Sequence, residues 1–150
     1  MTTLDRSYLK LMMEAGYIYM GMRRFREAKQ VFEGVAALAP DNEVPVIALG
    51  SVAFCKGDIK GAVAAYHQAL KVDPTSLFAQ VYLGEALLFS GKKDEGLALL
   101  KEVHKRDRKG PAGEFAAALI DAVKGGFDPN KAKDRKKEKG AHGTSPRSVH

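Results

Sequence analysis

The chain has no tryptophan and a single cysteine, Cys55. One thiol cannot form an intramolecular disulfide, so a disulfide-stapled secreted scaffold is excluded and a reducing compartment is expected. Long hydrophobic runs are also missing. The longest apolar stretch, Val44 to Cys55, contains Pro45 and falls short of the roughly 18–20 residues that a membrane span needs. The opening MTTLDRSYLKLMM places Asp5 ahead of any apolar stretch and has no signal-peptide core. A cytoplasmic protein without a membrane span is the expectation. Strand-like alternation is absent too, and the long segments containing Ala, Leu, Lys and Glu favour helix on intrinsic propensity.

Groups that could do chemistry are equally sparse. His67, His104, His142 and His150 are scattered, and none pairs with Cys55 at metal-ligand spacing. The segment GKKDEG, residues 91–96, lacks the strand and spacing of a phosphate-binding loop. Cys55 reads as a small apolar group on a helix rather than as a reactive thiol, although Lys56 beside it would favour the thiolate. The sequence therefore predicts no catalytic residue, no metal site, no cofactor and no enzymatic activity.

The net charge of +6 is unevenly placed. Residues 125–150 hold Lys131, Lys133, Arg135, Lys136, Lys137, Lys139 and Arg147 against Asp128, Asp134 and Glu138. Most of the basicity therefore belongs to a tail and not to a folded basic face. From Asp128 on, the chain has no aromatic residue and almost no aliphatic one, so 125–150 is expected to be a disordered basic tail. The interleaved acids argue against nucleic acid as a partner. Electrostatic contact of KAKDRKKEKG with nucleic acid or an anionic surface is the third-ranked reading.

What the chain does have is a repeat. Gly16, Gly50 and Gly84 lie 34 residues apart, as do Ala28, Ala62 and Gly96, Phe32, Tyr66 and Leu100, and the pair Pro40 and Pro74. A fixed period of this length marks stacked supersecondary units. Three units are expected, at 9–42, 43–76 and 77–110. Each is two helices joined by a tight turn: about Thr3–Gly21 and Phe25–Leu38, Glu43–Cys55 and Ile59–Val72, then Leu77–Ser90 and Asp94–Lys105. The small residues let the two helices of a unit approach closely, and the large ones fill the space between units. Pro40 and Pro74 close the second helix of their units. Pro111 and Gly125-Gly126 bracket a seventh helix, 111–124, placed to cap the last repeat. The fold class expected is an all-α helical solenoid occupying residues 1–124.

The pattern resembles the tetratricopeptide repeat (TPR), whose signature is Trp-x2-Leu-Gly-x2-Tyr, then Ala-x3-Phe, then Pro. Unit two reads VIALGSVA, AVAAY and Pro74; unit one reads MMEAGYIY, AKQVF and Pro40; unit three reads QVYLGEAL and GLALL, with Arg108 where Pro would fall. The stretches AGYIYMGMRRFREAKQVFEGVAALAP and LGEALLFSGKKDEGLALLKEV further resemble the first and third repeats of the TPR chaperones of bacterial type III secretion systems. Those of the translocator class hold secreted hydrophobic subunits before export.

In that family the first helix of each unit lines a concave face. The resemblance places Met13, Tyr17 and Met20 there from unit one, Ile47, Ser51 and Phe54 from unit two, and Phe78, Val81, Glu85 and Leu88 from unit three. Spacings of three and four keep each set on one helix face. The combined surface is apolar and aromatic, suited to an extended or helical segment with apolar anchors. TPR proteins that grip a terminal carboxylate use Lys, Asn and Arg at positions held here by Met13, Tyr17, Ser51, Phe78 and Tyr82. The function implied is a protein-binding chaperone or adaptor, its partner possessing an apolar segment, with a secreted subunit as the narrower expectation. The alternative is a structural assembly subunit in which the apolar face closes on a second copy of the chain.

Overall fold

The computed structural model describes residues 3–131; these contain no strand, seven complete α-helices and a further helical start at 129–131. They are α1 (Thr3–Gly21), α2 (Phe25–Leu38), α3 (Val44–Cys55), α4 (Ile59–Val72), α5 (Leu77–Phe89), α6 (Lys93–Arg106) and α7 (Pro111–Lys124). Each helix packs against its sequence neighbours, so the chain runs as a zigzag of antiparallel pairs, α1–α2, α3–α4 and α5–α6, with α7 laid on α6 and α5.

Local chemistry sets the boundaries. The Asp58 carboxylate accepts the Gly61 N–H at 2.9 Å and opens α4, while the Ser76 hydroxyl accepts the Ala79 N–H and opens α5. These side chains satisfy donors that the first helical turn leaves orphaned. Pro45 and Pro111 occupy first-turn positions, where a missing N–H costs nothing. The turns of units two and three pass through Gly57 and Gly91, both at φ 82°, in the left-handed region. The equivalent residue of unit one is Arg23, held at φ 60° with its guanidinium over the Phe25 ring.

Close helix approach follows from the repeated glycines. A Cβ on Gly16 would strike the Phe32 ring, one on Gly50 the Tyr66 ring, and one on Gly84 the Leu100 side chain at 2.8 Å. Gly96 in turn faces the Gly84 carbonyl. Phe32, Tyr66 and Leu100 are fully buried over these gaps and reach into the next unit. Phe32 and Ala28 join Ala48 and Val52 of α3, Tyr66 and Ala62 join Ala79 and Leu83 of α5, and Leu100 joins Ala112, Ala116 and Ile120 of α7. Sealing this last cluster, α7 presents Glu114, Asp121 and Lys124 outward.

Two expectations change. The segment after Lys124 is ordered as far as Lys131: Phe127 donates its N–H to the Ala122 carbonyl, its ring lies 6.4 Å from that of Phe89, and Pro129 is buried. The aromatic ring of Phe127 supplies a packing anchor that the charged composition beyond it conceals. The rest of the expected tail, 132–150, lies outside the described residues. Cys55 is exposed rather than packed, because it is the last residue of α3.

Candidate functional site

The helical period sets Tyr17, Ser51 and Glu85 34 residues apart, at one position in the first helix of each unit. All three keep some exposure. Tyr82, one turn before Glu85 on α5, is the hub of an aromatic cluster. Its ring lies 5.9 Å from Tyr66 and 6.3 Å from Phe78 in stacked orientations, and 5.8 Å from Phe115 of the capping helix. Tyr17 packs edge-on against Phe32 at 5.2 Å. Tyr17 and Phe78 remain 44% and 46% exposed, so the aromatic surface is open.

The polar groups of this surface feel one another. The Tyr66 and Ser51 hydroxyls share a hydrogen bond at 3.4 Å. Burial pushes the Tyr66 phenol up to about 12, against the opposing effect of that bond and with added repulsion from Glu85 and Tyr82. Burial also raises Tyr82, and the Glu85 charge adds to it. Tyr17 is raised by burial and, to a smaller extent, by Tyr82. Burial alone lifts Glu85 to about 7 by disfavouring its charged form.

Three expected groove residues are core residues instead. Val81 and Leu88 are buried beneath α7 with Leu100, Val103 and Ala116, and Ile47 is buried with Tyr66 and Ala69. The physical reason is position in the stack: α5 packs against α3, α4, α6 and α7, so most of its circumference is consumed. Phe54 is half-buried and stacks edge-on against Phe89 at 4.9 Å, bridging units two and three. Met13 and Met20 are half-buried against the Ala28–Phe32–Val52 cluster.

A cleft of about 560 Å³ opens beside Met13, lined by Leu9, Val35 and Leu38 with Arg6 and Lys10 at its wall. The repeat pattern gave no sign of it, because Arg6 and Lys10 have no charged counterparts in units two and three. Phe115 was likewise missed; its aromatic character on a helix facing Tyr82, a groove position already named, was the available signal.

No reactive constellation is assembled among the described residues. Among the described residues no three His, Cys, Asp or Glu side chains stand close enough to hold a metal ion. His67 is exposed, and His104 Nδ1 lies 3.3 Å from the Gly113 carbonyl, linking α6 to α7. No described helix is long and apolar enough to cross a membrane.

Comparison with known proteins agrees with this architecture. Models of the tetratricopeptide repeat match residues 9–42 and 53–119. None of the curated proteins matches the chain by sequence. Among solved structures, the type III secretion translocator chaperone SycD of Yersinia enterocolitica superposes with a TM-score of 0.70 at 16% identity, covering 78% of this chain and 90% of its own. PcrH of Pseudomonas aeruginosa gives 0.68 at 16% identity, covering 79% and 92%. The TPR domain of Sgt2 from Aspergillus fumigatus gives 0.66 at 16% identity, covering 95% and 87%.

Proposed function

The chain belongs to the tetratricopeptide repeat family, and from that premise we propose that it is a non-enzymatic chaperone or adaptor. It holds an apolar extended or helical segment of a partner protein against the face that carries Tyr17, Phe78 and Tyr82. The observation that carries this reading is the open aromatic surface: Tyr17 and Phe78 are almost half exposed, Tyr17 seated on buried Phe32 and Phe78 stacked on Tyr82, which stacks on buried Tyr66. Solvent-facing aromatics on a rigid scaffold provide anchor pockets for a partner at low entropic cost. The structural neighbours support the same direction, since PcrH has been solved in complex with the chaperone binding regions of PopD and PopB. The narrower reading is a translocator chaperone in the cytoplasm, its partner a secreted subunit.

Capture from a lysate of the native host, with the full chain as bait, tests the groove. Tyr17→Glu and Phe78→Glu should each reduce recovery of the wild-type partner at least tenfold while leaving helicity unchanged. Equal recovery by both variants removes this face as the site.

A second reading, self-assembly, is favoured by α1. Tyr8, Leu11, Ala15, Ile18 and Met22 recur at intervals of three and four, and Leu11 and Ile18 are 63% and 64% exposed. This is the spacing of a seam between two helices. Light scattering of the purified chain tests it: a dimer that Ile18→Glu converts to monomer supports the seam, and a monomer at all concentrations removes it.

A further inference from the structure

We infer that the segment held on the aromatic face carries a lysine or arginine side chain, and that Glu85 receives it. The inference rests on the groove reading above and adds the chemistry of the partner.

Glu85 is the only charged residue of α5, LFAQVYLGEALLF. The other polar side chain of that helix, Gln80, is buried and satisfied, its amide donating to the Pro74 carbonyl at 3.2 Å. Among the described residues Glu85 has no such partner. Among the described residues the ion pairs are Arg24–Glu27, Lys29–Glu33 and Arg106–Glu102, all on other helices. Neither the Tyr66 nor the Tyr82 hydroxyl donates to it; Tyr66 is bonded to Ser51. Yet no sealed side-chain oxygen in the described chain lacks a partner, so the unpaired Glu85 oxygens open to solvent. The Glu85 side chain is thus partly buried and still reachable from outside.

A half-buried carboxylate without a countercharge is a cost to the free protein. An apolar residue would suit an otherwise apolar helix better. The cost is offset when a cation arrives, because a charge pair in a desolvated site is stronger than one at an open surface. Tyr82 lies one helical turn away on α5, and a guanidinium or ammonium is attracted to an aromatic face. The repeat supplies the direction. Tyr17, Ser51 and Glu85 hold equivalent positions in successive units, so the row is neutral along units one and two and anionic only at unit three. A bound segment would lay apolar anchors across α1 and α3 and set its basic side chain at α5. Among the described residues no group of three metal-ligating side chains forms, so the site suits an organic cation and not a metal ion.

Selection of a phage-displayed library of random dodecapeptides on the full chain tests this. The expected consensus has apolar anchors with Lys or Arg at one fixed position. A selected synthetic peptide should bind Glu85→Gln at least tenfold more weakly than wild type. Its Lys→Met version should bind the two proteins equally, and both proteins should keep the same helicity. A consensus of apolar anchors alone, lost on Phe78→Glu yet indifferent to Glu85→Gln, overturns the inference and leaves the groove reading intact. A library that yields no peptide sensitive to Tyr17→Glu or Phe78→Glu overturns both.

Discussion

At one end of the stack α7 covers the last repeat; at the other, α1 leaves the matching kind of surface open. The face of α5 that includes Ala79, Leu83 and Ala86 is buried against α4, and Val52 of α3 is buried against α2. The residues of α1 at the same repeat positions as those three are Leu11, Ala15 and Ile18, and no described helix covers them. One sequence pattern therefore serves as core in the interior and as surface at the edge. An apolar stripe reports the capacity to stack; whether it is filled depends on what lies next to it.

The sharpest way to break the comparison is to place the same charge at two equivalent positions. Val52, 2% exposed, and Ile18 lie 34 residues apart. Val52→Glu buries an unpaired carboxylate and should lower stability by about 3–5 kcal/mol, while Ile18→Glu in the monomer should change it by no more than about 0.5 kcal/mol. Urea titration at low protein concentration reads both. Equal losses would mean that α1 is covered after all. The capped end is probed by Leu100→Ala, which empties the space over Gly84 and should cost about 2–5 kcal/mol by the same titration.

Between the two ends, Glu85 makes a pH-dependent contribution. Its carboxyl sits at about 7 in the folded protein against an ordinary value of 4.5, because burial disfavours the charge. As pH rises through 4.5 the unfolded chain ionises first, so stability is greatest below 4.5, declines up to about 7 and is then level. Glu85→Gln should remove this decline. It should gain about 1–2 kcal/mol over wild type at pH 8, allowing for partial solvent screening, and nothing at pH 4. A parallel pH profile for the two proteins would contradict the assignment. The smallest effect is expected at the first turn: Arg23→Gly relieves a left-handed non-glycine and should stabilise by about 0.5 kcal/mol.

The fold was legible because its signals are local and periodic. Glycine at 16, 50 and 84 and proline at 40 and 74 punctuate the chain at the same phase, and the expected limits of α1, α2, α4 and α7 coincide with those observed. The candidate site was legible in part. Tyr17, Ser51, Phe78 and Glu85 retain exposure, whereas Ile47, Val81 and Leu88 are buried. Helical phase assigns a residue to a face, but it does not say how many neighbours that helix has. On α1, which packs on α2, none of the three residues chosen by phase is fully buried; on α5, which packs on four helices, Val81 and Leu88 are core while Phe78 and Glu85 keep exposure. Arg23 was illegible for another reason: the two later turns use glycine at that place, and the first forces an arginine into the same backbone geometry.

The convergence of contacts on α5 has a dynamic consequence. Where contacts are only between neighbours, opening proceeds as a graded series rather than as one event. Here α5 packs against four helices and α1 against α2, so amide exchange should be fastest in α1 and slowest in α5. A segment lying across the whole face would then be let go by degrees, its hold on Tyr17 lapsing while its hold at Tyr82 persists. Release of such a segment would be a peeling from one end, beginning at the α1 side.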